Sequence, residues 1–242
     1  MHGVILKQIG FFWLLLLLIN TATAQQFTQK ATDYNIDLDG KKDGGFAFGD
    51  LNNDGFLDLI VNTAQDDEDH RTRIYFFDAA TNKFVDVTSE KCNGCISEKE
   101  GSNITERSLV IADFNNDGLK DFVKNNSKRL DVYLNNGSEN GFSFGNGQNP
   151  NFFLFTEDLT EPNPPNGIPN GMNTEGIGVL DYDNDGLLDL FIENHNWGLE
   201  IYRNTGDAAN LFEYVSPEVT GLPAGVDAED NINDGTRVSG DY

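Results

Sequence analysis

A nine-residue motif reads Asp50-Leu51-Asn52-Asn53-Asp54-Gly55-Phe56-Leu57-Asp58, and two further copies follow it along the chain. The second copy is Asp113-Phe114-Asn115-Asn116-Asp117-Gly118-Leu119-Lys120-Asp121, and the third is Asp181-Tyr182-Asp183-Asn184-Asp185-Gly186-Leu187-Leu188-Asp189. Each copy places Asp or Asn at alternate positions before a glycine and ends on a further Asp. This regular supply of oxygen atoms indicates a loop that wraps a hard cation.

Calcium is the cation that fits this pattern best, because it takes about six to eight oxygen ligands from carboxylates, backbone carbonyls and water. Side chains at positions 1, 3, 5 and 9 and the carbonyl of position 7 are the predicted ligands, and Gly at position 6 permits the sharp turn. The sequence therefore predicts about three calcium sites. Their ligands are Asp50, Asn52, Asp54, Phe56 and Asp58; Asp113, Asn115, Asp117, Leu119 and Asp121; and Asp181, Asp183, Asp185, Leu187 and Asp189.

The surrounding residues exclude the helical calcium loop of an EF-hand, which needs a bidentate Glu at position 12. Position 12 is Val61, Lys124 or Ile192. Short apolar and β-branched runs follow each motif, and such runs are typical of strands. Each loop is therefore predicted to join two strands.

Asp-Gly is also a common hairpin signal, so one copy alone would equally indicate a plain turn. Three copies with every ligand position filled favour a metal, since the converging carboxylates would otherwise repel one another. The third loop has four Asp residues and the others have three Asp and one Asn. On charge alone, the third loop is predicted to bind calcium most tightly.

The motif recurs roughly every 60–70 residues, a period that indicates repeated supersecondary units. Around each motif the sequence predicts a strand before the loop, a strand after it, a third strand, a turn and a fourth strand beginning with Phe. In the second unit the fourth strand falls at 142–144 or at 153–155, and in the first it covers 84–88. Four antiparallel strands per unit predict an all-β fold built from β-propeller blades.

The predicted organisation follows from this period. It comprises a signal peptide at 1–24, an N-terminal strand or linker at 25–44, blade repeats at 45–107, 108–175 and 176–235, and the truncated start of a fourth at 236–242. Asp241 matches the first residue of a fourth loop. Propellers typically have about four to eight blades, so a partial propeller of this size is expected to continue in a longer protein or to pair with a second copy.

The motif, the preceding Ala47-Phe48-Gly49 and the following Leu57-Asp58-Leu59 resemble the FG-GAP/VCBS repeat family, over about residues 27–242. The resemblance implies a calcium-binding β-propeller of the kind found in integrin α-subunit heads and in exported bacterial proteins. It also implies that loop positions 1, 3, 5 and 9 ligate calcium. The Gly-Ala-Pro half of the integrin motif is absent, so the resemblance does not extend to integrin-like ligand binding.

The N-terminus and the charge point to an exported protein. Lys7, the apolar run that follows it and Ala22-Thr23-Ala24 are typical of a cleaved signal peptide, and no later segment is predicted to insert into a membrane. A formal net charge of −24 disfavours nucleic acid and anionic membranes as partners. Cys92 and Cys95 are predicted to form a disulfide in that compartment; a redox dithiol and a zinc half-site are the alternatives.

Few residues suggest catalysis. His70 and His195 are the histidines outside the signal, and neither a G-x-S-x-G nor an H-E-x-x-H motif occurs. The sequence favours a non-enzymatic module for adhesion or for binding an extracellular glycan or protein, with Trp197 as a candidate for stacking on a sugar. The alternatives are a calcium-dependent propeller module of a polysaccharide-degrading enzyme and a structural spacer in a larger surface protein.

Overall fold

The computed structural model describes residues 30–36, 44–63, 71–92, 108–125, 130–146, 150–153, 174–194 and 198–215. Twelve strands make up about half of this part of the chain. They are β1 Phe46–Gly49, β2 Asp58–Thr63, β3 Arg71–Asp78, β4 Lys83–Asp86, β5 Leu109–Ala112, β6 Asp121–Asn125, β7 Leu130–Tyr133, β8 Phe152–Phe153, β9 Thr174–Leu180, β10 Asp189–Asn194, β11 Gly198–Asn204 and β12 Phe212–Val215. One short α-helix, α1 (Thr88–Lys91), and 3-10 turns at Ala31–Tyr34 and Ser138–Asn140 complete the described elements.

The strands form three four-stranded antiparallel sheets in simple meander order, β1 to β4, β5 to β8 and β9 to β12. The first strands of the sheets lie side by side, with β1 against β5 and β5 against β9. The predicted all-β repeat of four antiparallel strands is therefore confirmed.

Two details of the fourth strands differ from a simple repeat. In the second sheet β8 pairs Phe152 with Val132, while Phe144 forms only an isolated bridge to Asn135. In the first sheet the prediction of a strand through Thr88 is wrong, because α1 begins there. The Thr88 hydroxyl accepts the backbone N–H of Ile74 at 2.8 Å and donates to the Asp86 carboxylate at 2.6 Å, so a side-chain oxygen takes the place of a backbone carbonyl opposite β3.

The apolar core lies between neighbouring sheets. Leu51, Ile60 and Ile74 of the first sheet pack against Phe122 and Tyr133 of the second, in one buried cluster. A second buried cluster joins the second and third sheets in the same way, through Phe114, Val123, Val132, Leu190 and Tyr202. Since each interface buries side chains of both sheets, the sheets stabilise one another by removing apolar surface from water.

The innermost strands approach each other very closely. A Cβ atom added to Gly49 would lie 2.6 Å from Cγ2 of Ile111, a side chain of β5. Ala112 stands at the matching place in β5 and is buried against the third sheet. The small residues at the ends of β1 and β5 thus allow the next inner strand to pack closely.

Several predictions fall outside the described residues and stay predictions. They concern the signal peptide at 1–24, His70, Cys95, His195, Trp197 and Asp241. Cys92 is described, and it is buried in the cluster between the first and second sheets. The predicted repeat boundaries likewise stay predictions. In the part of the chain that the structure describes, no helix combines the length and apolar character needed to cross a membrane.

Candidate metal centre

Each motif forms the loop between the first and second strands of its sheet, as the sequence predicts: residues 50–57, 113–120 and 181–188 connect β1 to β2, β5 to β6 and β9 to β10. The three loops share an unusual backbone. Position 4 is an Asn with φ of 56°, 56° and 60° (Asn53, Asn116 and Asn184), and position 6 is a Gly with φ of 87°, 87° and 90° (Gly55, Gly118 and Gly186). Asn tolerates this left-handed region better than most residues, and Gly enters it without steric cost.

The first Asp of each loop organises the turn that follows. Asp50 accepts the backbone N–H of Asp54 through Oδ1 at 3.1 Å and that of Gly55 through Oδ2 at 2.9 Å. Asn52 Oδ1 accepts the same N–H of Asp54 at 3.0 Å, and Asp54 Oδ1 accepts that of Phe56 at 2.9 Å. The oxygen atoms of positions 1, 3 and 5 are therefore drawn toward the inside of one tight loop.

The second and third loops repeat these bonds. Asp113 and Asp181 each accept two backbone N–H groups at 2.9–3.1 Å. Asp117 and Asp185 accept the N–H of position 7 at 2.8 and 2.9 Å. Because the geometry is reproduced three times in segments that are distant in sequence, it is a property of the motif.

The Asp at position 9 anchors the loop to the sheet. Asp58 accepts the backbone N–H of Leu51 through Oδ2 at 2.9 Å and that of Phe77, at the end of β3, through Oδ1 at 2.8 Å. Asp121 and Asp189 make the equivalent pairs of bonds at 2.8–3.0 Å. One carboxylate thus joins the start of the loop, the start of the second strand and the end of the third.

Burial of these anchoring carboxylates makes them unusual acids. Removal from water raises the pKa of Asp58 to about 6 and that of Asp121 to about 7, against the lowering effect of the two backbone N–H groups. The same burial raises the pKa of Asp189. A nearby cation would favour the charged form of all three carboxylates and would oppose these shifts in pKa.

The carboxylate at position 5 accepts a side-chain hydrogen bond in the first two loops and has an ion-pair contact in the third. In the first two loops the donor is the side-chain amide of position 3, with Asn52 Nδ2 donating to Asp54 at 3.0 Å and Asn115 Nδ2 to Asp117 at 2.9 Å. In the third loop position 3 is Asp183, and the partner is the guanidinium of Arg203. Its Nε lies 3.0 Å from Asp183 Oδ2, and its Nη2 lies 3.7 Å from Asp185 Oδ2.

The third loop brings the most carboxylates together. Among the described residues, Asp181, Asp183 and Asp189 form a group whose candidate ligand atoms all lie within 4.8 Å of one another. The donors are all oxygen atoms of carboxylates, which is the chemistry that calcium and other hard divalent cations require. The residues present therefore fit such an ion.

Two residues that join neighbouring loops escape prediction from the sequence. Asn135, which follows β7, donates through Nδ2 to the carbonyl oxygen of Leu51 in the first loop at 2.9 Å. It also donates to the carbonyl oxygen of Lys120 in the second loop, the loop of its own sheet, at 3.2 Å. In the third sheet Asn204 makes the same pair of bonds, to Phe114 at 2.7 Å and to Leu188 at 3.1 Å. Each Asn also accepts the N–H of the Gly two residues later, and this Asn-x-Gly spacing is the signal that the sequence offers.

The family model described as the FG-GAP-like repeat matches residues 50–123 and 113–192. The two matches together include all three loops and cover more than half of the chain. The search of curated proteins found no match.

Proposed function

The chain belongs to the FG-GAP-like repeat family, and we propose that it is an exported β-propeller-like module stabilised by calcium. The observation that carries this proposal is the threefold repetition of one oxygen-lined loop, with the same hydrogen bonds to positions 1, 5 and 9 each time. Plain hairpin turns have no requirement for four oxygen-bearing side chains at fixed positions.

The proposed ligands are the oxygen atoms at positions 1, 3, 5, 7 and 9 of each loop. When bound, calcium supplies the positive charge that offsets the converging carboxylates. The chain's own residues do the rest: Asp50 and its counterparts shape the turn, and Asp58 and its counterparts connect the loop to the second and third strands. An ion in the loop would therefore stabilise three strands of each sheet at once.

The role of these carboxylates favours a structural module over an enzyme. Asp58, Asp121 and Asp189 are buried, and each accepts two backbone N–H groups. Carboxylates held in this way organise the fold. We therefore propose a non-enzymatic module that binds an extracellular glycan or protein through loops outside the calcium sites, since loops on a rigid scaffold are common places for recognition.

Thermal unfolding in calcium and in EGTA tests the calcium proposal. A ligand that binds only the native state adds about 2.7 kcal/mol per site at a hundredfold excess over Kd, so EGTA is expected to lower the Tm clearly. The variant Asp181→Asn removes one negative charge from the ligands of the third loop and is expected to shrink the difference between the two conditions. The matched control is Asp207→Asn, an exposed Asp in the turn after β11; it should keep the full difference. Equal Tm values with and without calcium would refute the proposal.

The recognition proposal has a separate test. A glycan array and a panel of extracellular matrix proteins are probed with the chain in calcium and in EGTA. Binding that disappears in EGTA is the expected result, because the metal-stabilised scaffold positions the binding loops. Failure to bind any probe in calcium would instead favour the structural spacer.

A further inference from the structure

Arg203 is a charged residue at a place where the other sheets carry apolar ones. It directly precedes Asn204, whose N–H bonds to Asp189, just as Leu134 precedes Asn135, whose N–H bonds to Asp121. In the first sheet the matching residue is Phe76, since the N–H of Phe77 bonds to Asp58. Only the third loop of the three therefore faces a guanidinium from its own third strand.

The guanidinium bridges the loop and the last strand of the sheet. Arg203 Nε is 3.0 Å from Asp183 Oδ2, and Nη1 is 3.0 Å from Glu213 Oε1 of β12. Its Nη2 reaches toward Asp185 Oδ2 at 3.7 Å. Two of the carboxylates that would hold a cation in the third loop thus already have a cationic partner.

This pairing changes the charge comparison between the loops. The third loop has four Asp residues where the others have three, and Arg203 returns one positive charge, so the formal charge of carboxylates plus guanidinium is −3, as it is for three Asp residues alone. The extra Asp183 accepts a hydrogen bond from Arg203 Nε at 3.0 Å, the same distance as the bond from Arg203 Nη1 to Glu213. The prediction from sequence that the third loop binds calcium most tightly omits this partner.

We propose that Arg203 is a built-in competitor for the cation at the third loop and that it sets the affinity of this loop relative to the other two. The inference rests on the proposed calcium binding. A cation entering the third loop displaces the guanidinium from Asp183 and Asp185. The displaced guanidinium keeps its ion pair with Glu213. Asp183 holds Arg203 over the loop.

Terbium luminescence gives a readout specific to the third loop. Tb³⁺ is a hard cation that takes oxygen ligands as Ca²⁺ does, and a nearby tyrosine sensitises its emission. Tyr182 occupies position 2 of the third loop, where the other loops have Leu51 and Phe114. Emission lost in Tyr182→Phe therefore reports Tb³⁺ in the third loop, and displacement by Ca²⁺ gives the calcium affinity.

The decisive variant is Arg203→Leu, which installs the residue found at the matching place in the second sheet. Loss of a partly exposed ion pair corresponds to up to about 1 kcal/mol, so the third loop is expected to bind Ca²⁺ more tightly, by up to about fivefold. The matched control is Arg73→Leu, which removes a similar pair with Asp86 at 3.0 Å in the first sheet and should leave the third loop unchanged.

Unchanged or weaker calcium binding at the third loop in Arg203→Leu would overturn the inference, as would an equal gain in Arg73→Leu. Arg203→Gln, which keeps a polar side chain, provides a second neutral variant if the Leu variant melts early. Should every variant, including the parent, lack Tyr182-dependent emission and a calorimetric response to Ca²⁺, the proposed calcium binding itself fails, and this inference fails with it. Binding in the parent with no effect of Arg203 overturns only the inference.

Discussion

Replacing Asn204 by Ala tests how neighbouring loops are joined. Asn204 has no exposed surface, and its side chain makes three hydrogen bonds: to the carbonyl oxygens of Phe114 at 2.7 Å and Leu188 at 3.1 Å, and from the N–H of Gly206 at 3.0 Å. The bond to Phe114 crosses from the third sheet to the loop of the second. Asn204→Ala leaves all three backbone partners without this side chain.

The expected loss of unfolding free energy is at least about 3 kcal/mol. Each intramolecular hydrogen bond contributes about 1 kcal/mol net, and a buried carbonyl left without a partner costs about 1–3 kcal/mol more than one that reaches water. The carbonyl of Phe114 belongs to a residue with no exposed surface, so water cannot readily replace the amide. In the first sheet Phe77 takes the corresponding place, which indicates that the Asn is needed for the contact between sheets and not for the turn itself.

Urea unfolding followed by circular dichroism measures this change, in EGTA so that metal binding does not contribute. The matched control is Asn210→Ala, an exposed Asn in the turn before β12, which is expected to change the unfolding free energy by less than about 0.5 kcal/mol. Asn204→Asp keeps the acceptor for Gly206 but not the donors, and it should destabilise at least as much as Ala at neutral pH. The reasoning is wrong if Asn204→Ala unfolds at the same urea concentration as the parent, or if the control is equally damaging.

Three further changes have expected outcomes. Gly49→Ala would place a Cβ 2.6 Å from Ile111 Cγ2 and should lower the free energy of unfolding by about 1–3 kcal/mol in urea unfolding. The same substitution should cost less in a chain that already carries Ile111→Ala. Thr88→Val removes the acceptor of the Ile74 N–H at 2.8 Å and should cost about 1–2 kcal/mol, whereas a cost near zero would show that this bond is unimportant. Because burial raises the pKa of Asp121 to about 7 in the metal-free protein, its protonated form is favoured by folding. Stability in EGTA should therefore fall as pH rises from about 5 to 8, while calcium affinity, which needs the carboxylate, should rise over the same range; titrations at both ends of that range check both signs.

The loops and the strand order were predictable because they are local. Alternate Asp or Asn residues, a Gly at position 6 and β-branched residues after Asp58 or Asp189 determine the turn and the following strand without help from distant residues. The helix at Thr88 does not follow from the sequence, since the apolar and β-branched residues at 84–88 fit a strand equally well. What ended that strand is the contact of the Thr88 hydroxyl with Ile74, which a pattern cannot show.

The features that tune the loops depend on packing between segments far apart in sequence. In the sequence, Asn135 and Asn204 have the pattern of ordinary turn residues. Only the packing of neighbouring sheets brings their side-chain amides to the loop of the preceding sheet. Arg203 reads as an exposed residue of a strand, yet it lies against Asp183, 20 residues earlier. In the sequence, the signal for this contact is that Asp183 replaces the Asn of the other two loops and that Arg203 replaces the apolar residue found at the matching place in the other two repeats.

Isothermal titration of the metal-stripped chain with Ca²⁺ is the most direct test of calcium as the ion of these loops. One ion for each of the three Asp-rich loops should bind, with stoichiometry reduced by one when Asp50, Asp113 or Asp181 is replaced by Ala. A flat titration, or a stoichiometry that none of the three substitutions alters, would contradict this assignment.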